Sequence, residues 1–358
     1  MTVRALYARI QNVAPGFLGA IFCTAALLAT TSCDKKGGTA DWGNPASASQ
    51  NAAATVAPAP VSDPQEETKA APRETPVAAK ANTATEGLRF MTYNVRNWLT
   101  MDRYVDGKNL KSAPKPESEK KAVVEILSRH APDVVGLCEI GEASDLAEIQ
   151  ADLKRAGLDL PHLHFTGGAD PTRHLGILSR FPITSTAKPA ESEYQLDGRT
   201  FAINRGILDA TIAARGKSYR FVGVHLKSKR DSEQGDQEAI RLHEARLLRR
   251  HLDSILKADA ATRIVLYGDF NDTRATPAIK AVTGNYNDPA YMTAIPAKDS
   301  NNEAWTHYWA LNDIYSRIDF VMVSAALKPD VDFRAAKIID DKEWIDASDH
   351  RSILAIFK

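Results

Sequence analysis

Cysteine is nearly missing from this chain: three residues in 358. Cys23 and Cys33 fall within the first 33 residues, so Cys138 is the lone thiol beyond them and an internal disulfide framework is excluded. Cys138 stands between Leu137 and Glu139 on an apolar run, where a small buried side chain is the expected role rather than a nucleophile. Net charge is missing too, because 45 Lys and Arg balance 45 Asp and Glu. That balance argues against a general nucleic-acid binder while leaving room for a local basic patch. No internal repeat occurs at solenoid or propeller periods. What is present, 44% hydrophobic and 25% charged residues, is a globular balance with ample apolar material for a core.

Membrane-length apolar runs are wanting as well. FLGAIFCTAALLAT, Phe17 to Thr30, covers 14 residues, too few for a comfortable bilayer span. With Arg4 and Arg9 ahead of it, residues 1–33 read as an export signal. The segment closes on ATTSC, and a cysteine directly after such a core resembles the lipobox of bacterial lipoproteins, whose cysteine is lipidated. Thr30 stands where a Leu-like residue is usual, so a plain secretory signal or an uncleaved anchor are the alternatives. The expected location is the bacterial cell envelope, periplasmic or extracytoplasmic, with the membrane as partner through lipidated Cys33, or secretion if Cys33 stays unmodified. Residues 34–87 are rich in Ala, Pro, Thr and Ser without apolar periodicity, a composition that reads as a disordered tether.

Residues 88–358 are different in kind: short apolar runs ended by polar clusters, with helical patterns between some of them. ESEKKAVVEILSRH predicts a helix over Glu117 to His130, with Pro132 just past its end. DQEAIRLHEARLLRRHLDSILK predicts a longer one over Asp236 to Lys257, its many arginines expected on a solvated face. LRFMTYNV, DVVGLCEI, LGILSR, RGILDATI, YRFVGVHL, RIVLYGDF, RIDFVMVS and SILAIF are strand candidates. Many short strands with interspersed helices predict an α+β fold of two packed sheets flanked by helices. The run ends deliver Asn94, Glu139, His225, Asp269 with Asn271, and then Asp349 with His350. Singly these are ordinary turn, ion-pair or core residues; Asp319, for instance, has Arg317 and Arg351 nearby for a surface pair of little worth. Together they are hard oxygen donors with two histidines and no thiolate set. Such donors suit Mg²⁺ or Mn²⁺ rather than zinc, and the histidines beside them suit metal-assisted hydrolysis of a phosphate ester.

In order along the chain, TYNVRNW, LCEI, LGILSR, NRG, GVHLKS, YGDFND, SRIDFVMVS and SDH resemble the endonuclease/exonuclease/phosphatase superfamily from about Leu88 to Lys358. That resemblance implies a four-layer αββα sandwich of two mixed sheets, a site at one edge of them, and dependence on Mg²⁺ or Mn²⁺. It assigns metal ligation to Asn94 and Glu139, with Asp349 a further metal or outer ligand. It assigns Asp269 and Asn271 to the attacking water and the phosphate, His350 to general base or hydrogen-bond donor, and Asp319 to orienting His350. His225 becomes a second phosphate-facing histidine and Arg205 a grip on the phosphate. Where deoxyribonucleases carry a carboxylate that supports the counterpart of His225, this chain has Arg173 or His174. Lys227 and Lys229 are read as a solvated pair by default, with added phosphate contacts the alternative, and Trp305, His307, Tyr308 and Trp309 as core residues or a platform for a base or sugar. The expected activity is phosphodiester hydrolysis, foremost as a nuclease. The alternatives are a phosphomonoesterase or lipid-headgroup phosphodiesterase, and a non-catalytic binding module. No protein partner is expected.

Overall fold

The computed structural model describes residues 87–105 and 107–358. The export signal, Cys33 and all but the last residue of the tether lie outside them. No helix among the described residues is long and apolar enough to cross a membrane.

One six-stranded sheet runs in the order β17 (Lys337–Ile338), β18 (Ile353–Phe357), β1 (Leu88–Trp98), β4 (Val134–Ile140), β6 (His174–Ser179) and β5 (His162–Thr166). The second runs β13 (Thr293–Ala294), β16 (Asp319–Val323), β12 (Ile264–Asp269), β11 (Lys217–His225), β10 (Ile207–Ala214) and β7 (Ile183–Thr186). Both are mixed, with β1 parallel to β4 and β11 parallel to β12. Three two-stranded hairpins lie outside them: β2 (Met101–Val105) with β3 (Lys108–Ala113), β8 (Glu193–Leu196) with β9 (Arg199–Ala202), and β14 (His307–Trp309) with β15 (Ile314–Ser316). All eight strands expected from apolar runs are present. Edge strands such as β5 and β7 were not expected, because a half-exposed HLHFT or ITST carries no apolar run to announce it.

Side-chain alternation builds the layers. On β1, Leu88 and Phe90 enter the layer between the sheets, while Met91, Tyr93 and Val95 face outward onto helices. Those are α1 (Glu117–His130), as expected, and α2 (Ala143–Arg155), which was not. Leu146, Ile149 and Leu153 of α2 follow helical spacing, and a capping box between Glu142 and Asp145 starts it. On β12, Val265 and Tyr267 face the inter-sheet layer and Ile264 and Leu266 the opposite side. There Ile240, Leu247, Leu248 and Leu252 of α3 (Gln237–Ala258) cover them, with α4 (Pro277–Thr283) alongside. The result is the four-layer αββα sandwich.

Tyr267 sets the inter-sheet contact. Its ring meets Phe90 edge-on at 5.0 Å and lies where a Cβ at Gly136 would come within 2.1 Å of it and one at Gly223 within 2.6 Å. Both strands therefore need glycine where this ring passes. Gly136→Ala is expected to cost about 1–3 kcal/mol through overpacking. Tyr267→Phe should be neutral or stabilising, since the hydroxyl is buried without a hydrogen-bond partner. Chemical denaturation of the two variants checks both.

Candidate active site

The polar residues of the site share alternation with the apolar residues between the sheets. Asn94 follows Leu88 and Phe90 on β1, His225 follows Tyr219 and Phe221 on β11, Asp269 follows Val265 and Tyr267 on β12, and Asp319 precedes Val321 and Val323 on β16. Each is the last or first residue of the inter-sheet layer at the same edge. Strand register sets three of them side by side in the second sheet, with His225 opposite Asp269 and Asp269 opposite Asp319, and the first sheet packs Asn94 against them. Glu139 is out of phase and reaches the edge by a backbone device. Its φ is +66°, and the β1–β4 and β4–β6 registers both shift at this point, so the chain kinks there.

Asn94 is the hub. Its Nδ2 donates to Asp269 Oδ2 at 3.0 Å and to Glu139 Oε1 at 3.3 Å, while its Oδ1 accepts from the Arg96 N–H at 3.0 Å. Glu139 Oε2 accepts from the Asn97 N–H at 2.9 Å. His350 Nδ1 pairs with Asp319 Oδ2 at 2.8 Å, and its Nε2 points to Asp269 Oδ2 at 3.7 Å. His225 Nε2 lies 3.5 Å from Asp269 Oδ2 and 4.0 Å from Glu139 Oε1. Asn271, in left-handed backbone at φ +51°, donates its own N–H to Asp269 Oδ1 at 2.8 Å and its Nδ2 to the Leu226 carbonyl at 2.9 Å. Asn94, Glu139, His225, Asp269, Asn271, Asp319 and His350, drawn from six separate stretches of chain, therefore converge.

Burial and mutual charge give these groups unlike protonation states. Burial, with Asp319 alongside, pushes Asp269 up to about 7 against the pull of His350. Burial opposes a charge on His350, but Asp319 and Asp269 overcome it and hold the imidazole up at about 10, an imidazolium at neutral pH. His225 goes the other way, to about 3, through burial and the neighbouring Arg205, and is neutral. Burial would raise Glu139, yet the surrounding His225, Arg173 and His350 together with the Asn94 amide lower it to about 2. With His225 neutral, Arg173 and His350 provide the cationic part of that support.

Donor chemistry here fits a hard divalent cation. Glu139 and Asp269 bring carboxylate oxygens together around the Asn94 Nδ2, and one ligand atom each from Asp269, Asp319 and His350 lie within 4.8 Å of one another. The strain of crowding carboxylates, visible in the raised Asp269, is what a cation would relieve.

Asp349 and Arg205 make their ion pairs outside this cluster. Asp349 Oδ2 is 3.9 Å from Arg96 Nε, and Arg205 Nε is 3.2 Å from Asp170 Oδ2. His225 Nδ1 is buried without a partner, consistent with the missing carboxylate on the β6 side, where Arg173 instead donates to Asn97 Oδ1 at 2.9 Å. Asp319 is no surface ion-pair residue: it is 4% exposed, and Arg317 donates to its carbonyl rather than its carboxylate. Two expectations about cations are corrected. Lys227 is buried, so it is not half of a solvated pair, and Arg241 of α3 is 3% exposed and ion-paired with Asp272 at 2.9 Å rather than solvated.

Three residues support the site: Thr306 and Ser348 were not singled out in the sequence, and His307 was expected as a core residue or stacking platform. Thr306 Oγ1 accepts the N–H groups of Ile318 and Asp319, fixing the carboxylate that holds His350. Ser348 Oγ donates to the Asn94 carbonyl at 2.8 Å and accepts from the His350 N–H at 3.1 Å. His307 packs its ring against His350 at 4.7 Å through a β-bridge between the two residues. A Thr or Ser beside a candidate strand end gives no sequence signal that separates it from a turn residue. Of the aromatics, Trp305, Tyr308, Tyr315 and Trp344 stack on one another, whereas Trp309 is 43% exposed.

Comparison with known proteins agrees with this architecture. Among solved structures, an endonuclease/exonuclease/phosphatase from Bacteroides vulgatus superposes with a TM-score of 0.55 at 18% identity, covering 76% of this chain and 98% of that one. The human Nocturnin catalytic domain gives 0.53 at 16% identity over 76% and 94%, and sphingomyelinase C from Streptomyces griseocarneus 0.52 at 15% over 76% and 100%. At such identities the likeness is one of fold. A search of curated proteins finds no match. The model of the Endonuclease/Exonuclease/phosphatase family matches residues 91–350, and this chain belongs to that family of phosphoesterases.

Proposed function

We propose that this chain is a divalent-cation-dependent phosphodiesterase whose substrate is nucleic acid. The observation that carries the hydrolase reading is the buried Asp319–His350 dyad aimed at Asp269, beside Asn94 and Glu139. His350, an imidazolium held by Asp319, donates a hydrogen bond to a phosphoryl oxygen in the transition state. Asp269, held by the Asn271 N–H, accepts the proton of the attacking water. Neutral His225 and the Asn271 amide border the same space and orient the phosphate. Glu139 and Asn94, its amide rotated to offer Oδ1, would hold the cation together with Asp269, and Asp349 would be an outer ligand; Mg²⁺ or Mn²⁺ would supply positive charge against the developing phosphorane.

A cationic rim supports a polyanionic substrate. Arg173 and Arg205 lie close enough to His225 and Lys227 to disfavour their charged forms, and Arg230 acts likewise on His307. Cations clustered beside the site in a chain of zero net charge favour a backbone of repeated phosphates. One observation favours a second reading, a lipid-headgroup phosphodiester. The β14–β15 hairpin exposes Trp309, Leu311, Ile314 and Tyr315, and Trp309 pairs across the strands with Ile314 on the face that carries His307. The site would work in the cell envelope, with lipidated Cys33 as the tether.

Five outcomes follow for the full chain. His350→Ala should lower kcat by about 10²-fold or more with little change in KM, in a steady-state assay of phosphodiester cleavage. EDTA should abolish turnover and Mg²⁺ or Mn²⁺ restore it. Protons compete with the cation for Asp269, whose carboxyl is pushed up to about 7, so cation affinity measured by titration should strengthen from pH 6 to pH 8 and that gain should vanish in Asp269→Asn. Plasmid or single-stranded RNA should be cleaved with steep salt dependence. Turnover of phospholipid vesicles alone, lost in Trp309→Ala, would replace this reading with the second, and Cys33→Ser should move the protein from the membrane to the soluble fraction.

A further inference from the structure

Behind the cationic side of the site, one helix face fastens three loops. Glu244 of α3 is fully buried and accepts at Oε1 from the Asn204 N–H and the Asn204 Nδ2, each at 2.8 Å, and at Oε2 from the Lys227 N–H at 2.6 Å. One turn earlier, Arg241 donates Nη1 to the Lys227 carbonyl at 3.2 Å and Nε to Asp272 Oδ2 at 2.9 Å. The peptide groups flanking Lys227 are thus held on both sides by two residues spaced three apart. Asn204 directly precedes Arg205, Lys227 lies two residues past His225, and Asp272 directly follows Asn271. The clamp therefore touches every loop that delivers a phosphate-facing group from the second sheet.

Two features say that this is more than packing. A buried carboxylate and guanidinium are costly in an interior and persist only when their hydrogen bonds are met, which here happens through these loops apart from one bond from Arg241 to the Gln237 carbonyl of its own helix. Next to the clamp, Arg205 is 7% exposed, and its Nε and Nη1 have no well-aligned hydrogen-bond partner among the described residues, despite the Asp170 ion pair. Buried donors without acceptors are rare in folded proteins and mark a place where an acceptor arrives from outside.

We propose that Glu244, together with Arg241, is a positioning residue that presets Arg205 and Lys227 to receive an oxyanion of the substrate. The proposal rests on the phosphoesterase reading for its substrate, but the anion grip can be tested apart from turnover. Glu244→Gln keeps the size of the side chain while setting an amide N–H against the donors of Asn204 or Lys227, so the two cations lose their fixed placement.

The test is a double-mutant cycle of Glu244→Gln and Arg205→Ala in the full chain, read by calorimetric titration with inorganic phosphate in EDTA and by thermal midpoint. Each single variant is expected to weaken phosphate binding about tenfold, and the double variant by clearly less than about a hundredfold, because Glu244 acts in large part through Arg205. Asn204→Ala, which removes one donor from a half-buried site, should give a smaller loss in the same direction and keeps the test usable if Glu244→Gln fails to fold. Phosphate affinity unchanged in Glu244→Gln with a lowered midpoint, additive losses in the double variant, or no phosphate binding by the wild type would each overturn the proposal. If the wild type binds phosphate as expected yet hydrolyses no phosphoester, the hydrolase reading fails while the cycle still decides what Glu244 does.

Discussion

The constraint on which the rest of this structure depends is the contact between the two sheets at Tyr267. Its ring fills the space left by Gly136 and Gly223 and packs against Phe90. That contact sets the spacing of the sheets and the facing of their strands. With the facing settled, every second residue of β1, β11, β12 and β16 enters the shared layer. Each of these strands carries a polar residue of the same alternation at one edge. The site is thus the rim of the core, where apolar side chains give way to Asn94, His225, Asp269 and Asp319.

Putting charge at the end of a core makes its electrostatics strong. Water is largely excluded, so neighbours a few ångströms apart divide into opposite protonation states: a neutral His225 beside a charged His350, and a depressed Glu139 beside a raised Asp269. A catalytic centre needs groups held in unlike states at one pH, and burial with specific neighbours provides them. The same low dielectric explains the surrounding hydrogen bonds. Thr306, Ser348, Asn97 and Glu244 satisfy backbone and side-chain groups that could not be left unpaired at such depth.

Much of this was legible in the sequence, for identifiable reasons. Eight apolar runs marked eight strands, since a strand buried on both faces must be apolar along its length. The polar residues ending those runs included seven that converge. Less legible were elements whose stability comes from their neighbours: the edge strands β5 and β7, the hairpins, and α2, whose apolar residues sit among charged ones. Arg241 illustrates the limit. In a helix with several arginines, nothing local separates the one that will be buried against Asp272 from those that face water.

By itself the sequence determined the strand set, the order of the polar ends, the donor chemistry and the two main helices, because alternation, apolar run length and side-chain type are local properties. Only the tertiary structure decided which polar groups meet. Asp319 and His350 are 31 residues apart and Asn94 and Asp269 are 175 apart; each pair spans the two sheets, and the packing of one sheet on the other brings them within hydrogen-bond reach. It also decided that Glu139 turns to the edge through a left-handed kink, and that Arg205 lies buried beside a clamp built on α3, ion-paired with Asp170 and with its Nη1 lacking a hydrogen-bond partner. Sheet order, register and burial are collective properties of the folded chain, and the protonation states that chemistry requires follow from them.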